Sequence, residues 1–98
     1  MTTYFISRHA GAIEWAQQQD IKVDEQLSHF DPDITKQGDV VIGTLPINLV
    51  AEVNQHGGRY LHLTLTLPAD KRGEELSVAD MIQYGAKLEA YKVTKLSK

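Results

Sequence analysis

Residues 38–46 read GDVVIGTLP, and this stretch predicts the fold class. The three β-branched residues at 40–42 follow one another without polar alternation, which is typical of a central parallel strand buried on both faces. Gly43 ends that strand, and Pro46 fits the first position of a helix, where its missing N–H leaves no bond unmade. A strand that passes directly into a helix predicts a strand–helix–strand unit.

Similar units extend outward from this stretch in both directions. Before it, the pattern predicts a buried strand, a helix and a weak edge strand at Thr3–Ile6, residues 12–19 and residues 26–30. After it come a helix that ends at Gly57, a strand at Tyr60–Leu67, a helix from Val78 to Gly85 capped by Ser77 and Asp80, and a strand at Leu88–Lys95. The leucines of Tyr60–Leu67 alternate with polar or aromatic residues, so one face of that strand is expected to be better buried.

These elements predict an α/β fold. Two strand–helix–strand units imply parallel pairing with right-handed crossovers. We therefore expect a single Rossmann-like domain over residues 1–98, with a mainly parallel five-stranded sheet flanked by about three helices. A chain of 98 residues has room for one such domain.

Composition and charge exclude several classes of function. The chain has no cysteine, which excludes disulfides and thiolate metal sites. Its net charge of −3 argues against a duplex DNA binder. No signal peptide and no membrane-spanning run is visible, so a cytoplasmic protein without a membrane partner is expected.

The first candidate binding loop follows the first strand. Open parallel sheets bind ligands beyond the carboxyl ends of their strands. Here Ser7, Arg8, His9 and Gly11 bring a hydroxyl, a guanidinium, an imidazole and a glycine to the start of a helix, whose free N–H groups favour phosphate. The alternative is that Ser7 and His9 only cap and pack the turn.

Two further loops are expected at the same edge. They contribute as ligand-binding candidates Gly43, Thr44, Leu45, Pro46 and Asn48 in the second loop, and Lys71 and Arg72 in the third. The second loop offers close backbone approach and a hydroxyl at another helix start, although ordinary turn chemistry explains the same residues. The two cations of the third loop are either anion contacts or a solvated pair.

The other histidines do not predict a metal site. His29, His56 and His62 lack metal-ligand spacing. His56 precedes two glycines at the predicted end of a helix, which favours a C-terminal cap. No cofactor motif is present either, so neither a metal nor a cofactor is expected.

Five segments together resemble a known family. The segments at residues 3–16, 38–49, 59–63, 67–69 and 72–77 are similar to the small CRISPR-associated family known as the Csx group numbered sixteen. The resemblance implies a type III CRISPR context and a Rossmann-like fold related to the domains that sense cyclic oligoadenylates. It also implies a ring nuclease, a hydrolase that opens the cyclic tetra-adenylate messenger and switches the antiviral response off.

The resemblance does not identify the catalytic residues, and the loop chemistry supplies the candidates. An RNA-like ring carries its own nucleophile, the 2′-hydroxyl, so cleavage without a metal is expected. Ser7, Arg8 and His9 are then the catalytic candidates, for positioning, charge stabilisation and proton transfer. A two-fold symmetric ring also favours a homodimer with the ligand on its axis.

Two other functions fit the same residues. The protein could hold cyclic oligoadenylate as a sponge or sensor without cutting it. A histidine phosphatase is the second alternative, because Arg8-His9 after a first strand is similar to that family's Arg-His-Gly motif. Here Ala10 intervenes before Gly11, and the chain is too short for that family's downstream catalytic elements.

Overall fold

The computed structural model describes residues 1–7, 10–71 and 73–96. Within them lie five strands, β1 (Thr3–Ile6), β2 (Glu25–Leu27), β3 (Val40–Gly43), β4 (Arg59–Thr64) and β5 (Lys87–Tyr91). The α-helices of the described residues are α1 (Ala10–Gln18), α2 (Ile47–Gln55) and α3 (Val78–Gln83), and 3-10 turns occupy Pro32–Ile34 and Ala69–Lys71. The α/β class, the five-stranded sheet and the three helices are confirmed.

The strands form one sheet in the order β2-β1-β3-β4-β5. The first four are parallel, and β5 pairs antiparallel with β4. The chain moves from β1 outward to β2 on one side and from β3 outward to β4 on the other. The winding therefore reverses between β1 and β3, and right-handed crossovers put α1 and α2 on opposite faces.

Apolar side chains bury both faces of the sheet. The layer under α1 and α3 contains Phe5, Trp15, Ile42, Leu63 and Met81, and the layer under α2 contains Tyr4, Val41, Val50, Val53 and Tyr60. Val41 and Ile42 are adjacent in sequence, yet they are 0% and 1% exposed, because successive strand residues face opposite layers. The unbroken apolar run of β3 is confirmed as a strand covered on both sides.

The expectation for β4 is wrong in two respects. The strand ends at Thr64 and not at Leu67, so Leu65 and Leu67 lie outside the sheet. Its two faces are both covered, since Tyr60 is 1% exposed in one layer and Leu63 is 7% exposed in the other. The alternation of leucine with polar or aromatic residues predicts that the tyrosine side is the less buried one, whereas the Tyr60 ring is almost fully buried.

The outer strands are shorter than the sequence indicated. β2 ends at Leu27, whose carbonyl accepts a hydrogen bond from the Ser7 N–H at 3.0 Å. β5 ends at Tyr91, because the Val93 N–H donates to Asn54 Oδ1 of α2 at 2.7 Å rather than to β4. The predicted ends at residues 30 and 95 are therefore wrong. The pairing of β2 with β1 ends at Leu27 opposite Ile6, and the long-range bond to α2 takes Val93 away from the sheet.

Capping follows the sequence signals with one correction. Ser77 and Asp80 form the reciprocal capping box at the start of α3, and His56 is the C-cap of α2. Pro46 is the N-cap of α2 rather than its first helical residue. Its carbonyl accepts the Leu49 and Val50 N–H groups at 3.0 and 3.1 Å, while its ψ of 148° is extended.

Asp39 fastens the amino edge of the sheet. It is 4% exposed, and its carboxylate oxygens accept the Lys36 and Thr2 N–H groups, each at 2.9 Å. These two backbone hydrogen bonds lower the pKa of Asp39. Its own carbonyl accepts the Arg59 N–H at 2.8 Å, so Asp39 connects the chain start, β3 and β4.

We expect Gly11→Ala to destabilise the fold. A Cβ on Gly11 would collide with the Leu76 carbonyl oxygen and lie 2.9 Å from the carbonyl carbon of Ser77. Overpacking of this kind costs about 1–3 kcal/mol, whereas helix propensity alone favours alanine by about 1 kcal/mol. Urea unfolding distinguishes the two signs, with Gln17→Ala on the exposed side of α1 as the control. A gain in stability for Gly11→Ala contradicts the packing.

We expect Asp39→Asn to lower the free energy of unfolding by about 1–3 kcal/mol near neutral pH. The folded pKa of Asp39 lies below its unfolded value of about 3.9, so this contribution is complete above that pH and is lost as the pH falls through the folded pKa. Urea unfolding at a series of pH values should show the gap to the unsubstituted protein closing below about pH 4. Glu14→Gln is the exposed control, and a gap independent of pH would refute the assignment.

Candidate functional site

A cleft of about 650 Å³ opens at the carboxyl edge of the parallel strands, where the winding reverses between β1 and β3. This is the place at which open α/β sheets bind their ligands, and the volume suits a small molecule or part of a larger one. Its apolar lining includes Leu63, Leu65, Leu67 and Leu76, and its polar lining includes Ser7, Ser28, His29 and Thr44. The cleft thus combines a leucine-rich surface with a few hydroxyls and one imidazole.

The structure brings the first two predicted loops together. Ser7 from the end of β1 lines the cleft with Gly43, Thr44, Leu45 and Pro46 from the end of β3. Arg8 and His9 follow Ser7 in sequence and lie outside the described residues. The two loops meet because β1 and β3 are neighbours in the sheet, with Phe5 opposite Ile42.

The close approach of β1 and β3 requires a glycine at position 43. A Cβ at this position would lie 2.9 Å from the carbonyl oxygen of Ile6 and 3.2 Å from its Cβ. A larger residue would therefore separate the ends of β1 and β3, which form part of the cleft wall. The glycine is explained by strand packing without any ligand.

Three predicted ligand-binding residues do not line this cleft. Gly11 packs against the backbone before α3, and Asn48 lies in a separate depression between α2 and residues 93–95. The Lys71 amine lies 3.6 Å from the Glu74 carboxylate, which raises the pKa of Lys71. Arg72 is outside the described residues, and the segment before this loop contributes leucines to the cleft instead.

Sequence reasoning missed the residues that follow β2. Ser28, His29 and Phe30 line the cleft, with His29 exposed and the Phe30 ring 6.2 Å from that of Tyr4. The sequence predicts them within a strand, whereas the strand ends at Leu27. The polar pair Ser28-His29 was the available signal, because the end of any parallel strand reaches this same edge.

The helix starts at this edge favour an anion. Both α1 and α2 begin beside the cleft, where Ala12, Pro46 and Leu49 contribute to its lining. Neither helix has an acidic side chain in its first turn, so no carboxylate there compensates the positive end of its dipole. The edge therefore provides partial positive charge although the whole chain is acidic.

Tyr60 hydrogen-bonds to the backbone of the second loop. Its hydroxyl accepts the Leu45 N–H at 3.0 Å and donates to the Gly43 carbonyl at 2.9 Å. The two bonds enclose Thr44, which lines the cleft. Burial raises the pKa of Tyr60, so the hydroxyl remains protonated and able to donate.

The described part of the chain has neither a clustered metal site nor a membrane-spanning helix. No group of three or more His, Asp or Glu side chains in that part of the chain is arranged to hold a metal ion. No helix within the described ranges is both long and apolar enough to cross a bilayer.

Comparison with known proteins identifies a family. Neither a curated protein nor a solved structure matches the chain. A family model with the description "Putative CRISPR-associated protein (Cas_VVA1548)" matches residues 4–94. The match extends from β1 past β5 and includes the described residues that line the cleft. The chain therefore belongs to the Cas_VVA1548 family of CRISPR-associated proteins.

Proposed function

We propose that the protein is a ring nuclease that opens cyclic tetra-adenylate and so ends type III CRISPR signalling. The observation that carries the proposal is the cleft at the β1–β3 reversal, which joins a leucine-rich lining to two helix starts without acidic residues. Family membership provides the CRISPR context. The resemblance to the Csx group numbered sixteen, and through it to domains that sense cyclic oligoadenylates, supplies the ligand.

The two kinds of lining match the two parts of the ligand. An adenine base is flat and apolar on its faces, and Leu63, Leu65 and Leu67 offer a surface on which it is removed from water. A phosphate is anionic, and the start of α1 with Ser7 and Arg8 offers N–H groups, a hydroxyl and a guanidinium. One subunit provides few such contacts for a four-phosphate ring, so we propose a homodimer with one ring on its axis, acting in the cytoplasm.

The proposed reaction uses the ligand's own nucleophile. The 2′-oxygen attacks the adjacent phosphorus as the bond from phosphorus to the 5′-oxygen breaks. The 2′-hydroxyl gives up its proton and the 5′-oxygen gains one, which leaves a 2′,3′-cyclic phosphate and a 5′-hydroxyl. A second cut opposite the first yields di-adenylate.

The protein's part in this reaction is orientation and charge stabilisation. Holding the hydroxyl in line with phosphorus contributes about 7–11 kcal/mol in favourable cases. Ser7 positions the phosphate, Arg8 stabilises the charge on its oxygens and His9 moves a proton. No metal or cofactor has a role in this scheme.

A binding protein that does not cut is the second candidate. The described polar side chains of the lining are three hydroxyls and one imidazole. Such groups can bind a ring whether or not they also promote its cleavage. Separation of the products by chromatography distinguishes the candidates. Linear fragments support the nuclease, and an intact ring that remains bound supports the sponge.

The first prediction concerns the metal and the nucleophile. Cleavage of cyclic tetra-adenylate should persist in excess EDTA, because the attacking oxygen belongs to the ring. A ring with 2′-deoxy or 2′-O-methyl sugars should bind with similar affinity and remain uncut. Loss of cleavage in EDTA with recovery on adding manganese would overturn the mechanism and leave the ligand assignment intact.

The second prediction concerns Arg8. Arg8→Ala should weaken ring binding about ten- to a hundredfold, the equivalent of one charge-assisted hydrogen bond. Arg8→Lys should restore part of the affinity, since an ammonium keeps the charge without the planar fork. Lys71→Ala is the control with an expected smaller effect, because Lys71 is paired with Glu74 outside the cleft. Equal affinity for Arg8→Ala and the unsubstituted protein would exclude this role.

A further inference from the structure

The hydroxyl of Tyr60 has three polar neighbours in a buried site. They are the Leu45 N–H at 3.0 Å, the Gly43 carbonyl oxygen at 2.9 Å and His62 Nδ1 at 2.8 Å. Tyr60 itself is 1% exposed. Because all three partners lie within hydrogen-bonding distance of one hydroxyl, the chemistry of each partner determines which group donates in each contact.

The single hydrogen of the hydroxyl has one place to go. A tyrosine hydroxyl donates once and accepts through its lone pairs. The Leu45 N–H only donates and the Gly43 carbonyl only accepts, so the hydroxyl hydrogen points to Gly43. His62 Nδ1 must then donate to the same oxygen, because a second acceptor at 2.8 Å would find no hydrogen there.

We propose that Tyr60 is a positioning residue for the cleft, and that its hydroxyl holds His62 in the neutral tautomer protonated on Nδ1. The two bonds to Gly43 and Leu45 fix the backbone on either side of Thr44, which lines the cleft. The consequence for catalysis rests on the proposed function. The hydrogen-bonded arrangement itself does not.

Neighbouring contacts fix the His62 ring in the required orientation. His62 lies on β4 opposite Gly43 of β3, so the imidazole is beside the loop that Tyr60 holds. The Tyr91 ring meets it edge to face, with centroids 5.9 Å apart and planes at 84°. Among the described residues no partner is found for Nε2 of His62, so in this tautomer that nitrogen remains an acceptor.

The chain offers a matched pair of variants for the test. Tyr60→Phe removes the hydroxyl and keeps the buried ring. Tyr91→Phe removes a hydroxyl from the residue opposite Tyr60 on β5, which is 51% exposed and has no described bond to the loop. His62→Ala removes the imidazole and leaves both loop bonds of Tyr60.

The tautomer is measured first, without ligand. Nitrogen-15 spectra of the imidazoles are recorded at about pH 8.5, where an ordinary imidazole is neutral. His62 should be protonated on Nδ1 in the unsubstituted protein and in Tyr91→Phe, and should shift toward Nε2 protonation in Tyr60→Phe. A His62 protonated mainly on Nε2 in the unsubstituted protein would overturn the proposal.

The loop is measured next, by amide hydrogen exchange. The Leu45 amide should exchange about tenfold faster in Tyr60→Phe, which corresponds to the loss of one hydrogen bond. It should change little in Tyr91→Phe or His62→Ala. Unchanged Leu45 exchange in a folded Tyr60→Phe protein would show that the hydroxyl does not hold the loop.

Kinetics then separate positioning from mere stability. With cyclic tetra-adenylate as the probe, Tyr60→Phe should lower kcat at least about tenfold at a temperature where circular dichroism shows it folded, and Tyr91→Phe should not. An unchanged kcat alongside faster Leu45 exchange would refute the catalytic part of the inference. If the unsubstituted protein does not cut the ring, the proposed function fails, while the tautomer and the exchange rates still decide the arrangement at Tyr60.

Discussion

The pairing of β1 with β3 is the constraint on which the rest of the structure depends. After β1 the chain continues toward one edge of the sheet, and after β3 it continues toward the other, so the helices that follow these two parallel strands cover opposite faces. Both strands must therefore be apolar on both sides. Tyr4, Phe5, Val41 and Ile42 meet that requirement, each at most 8% exposed. Gly43 lets the strand ends approach closely, and the cleft opens directly beyond them.

Local signals in the sequence predicted the parts of the fold that local chemistry determines. The β-branched run before Gly43 indicated a central strand, and Ser77 with Asp80 indicated the start of α3. The limits of the outer strands were not predictable in this way. They depend on bonds between distant residues, such as that from the Val93 N–H to Asn54, which leave no pattern around either residue. The antiparallel direction of β5 likewise follows from the path of the chain.

The candidate site was predicted where it lies on loops after strands and missed where it depends on tertiary contacts. Ser7 and Thr44 were found because they follow apolar runs that the sequence displays clearly. His29 was missed because β2 ends earlier than its composition suggests. The sequence correctly predicts Tyr60 in a strand but not its second role, since no sequence signal places a tyrosine hydroxyl against Gly43 and Leu45, 17 and 15 residues away. Arg8 and His9, outside the described residues, stay predictions.

An acidic chain needs a local concentration of positive potential to bind the polyanion proposed as its ligand. The carboxyl edge offers this through the starts of α1 and α2, while Asp39 and its hydrogen bonds lie at the opposite, amino edge. The division separates the part of the sheet that secures the chain from the part proposed to bind the ligand. Salt screens charges over about 8 Å under physiological conditions, which weakens repulsion from carboxylates elsewhere on the surface.

The most direct test of this account is to map the ligand on the protein by amide chemical shifts. On addition of cyclic tetra-adenylate, the shifts should concentrate at Ser7, His29 and Thr44, with little change at Asp39 or Gly57. This result would place the ring in the cleft at the β1–β3 reversal. Shifts confined to α2 and residues 92–96, or no shifts at saturating ring, would contradict the account.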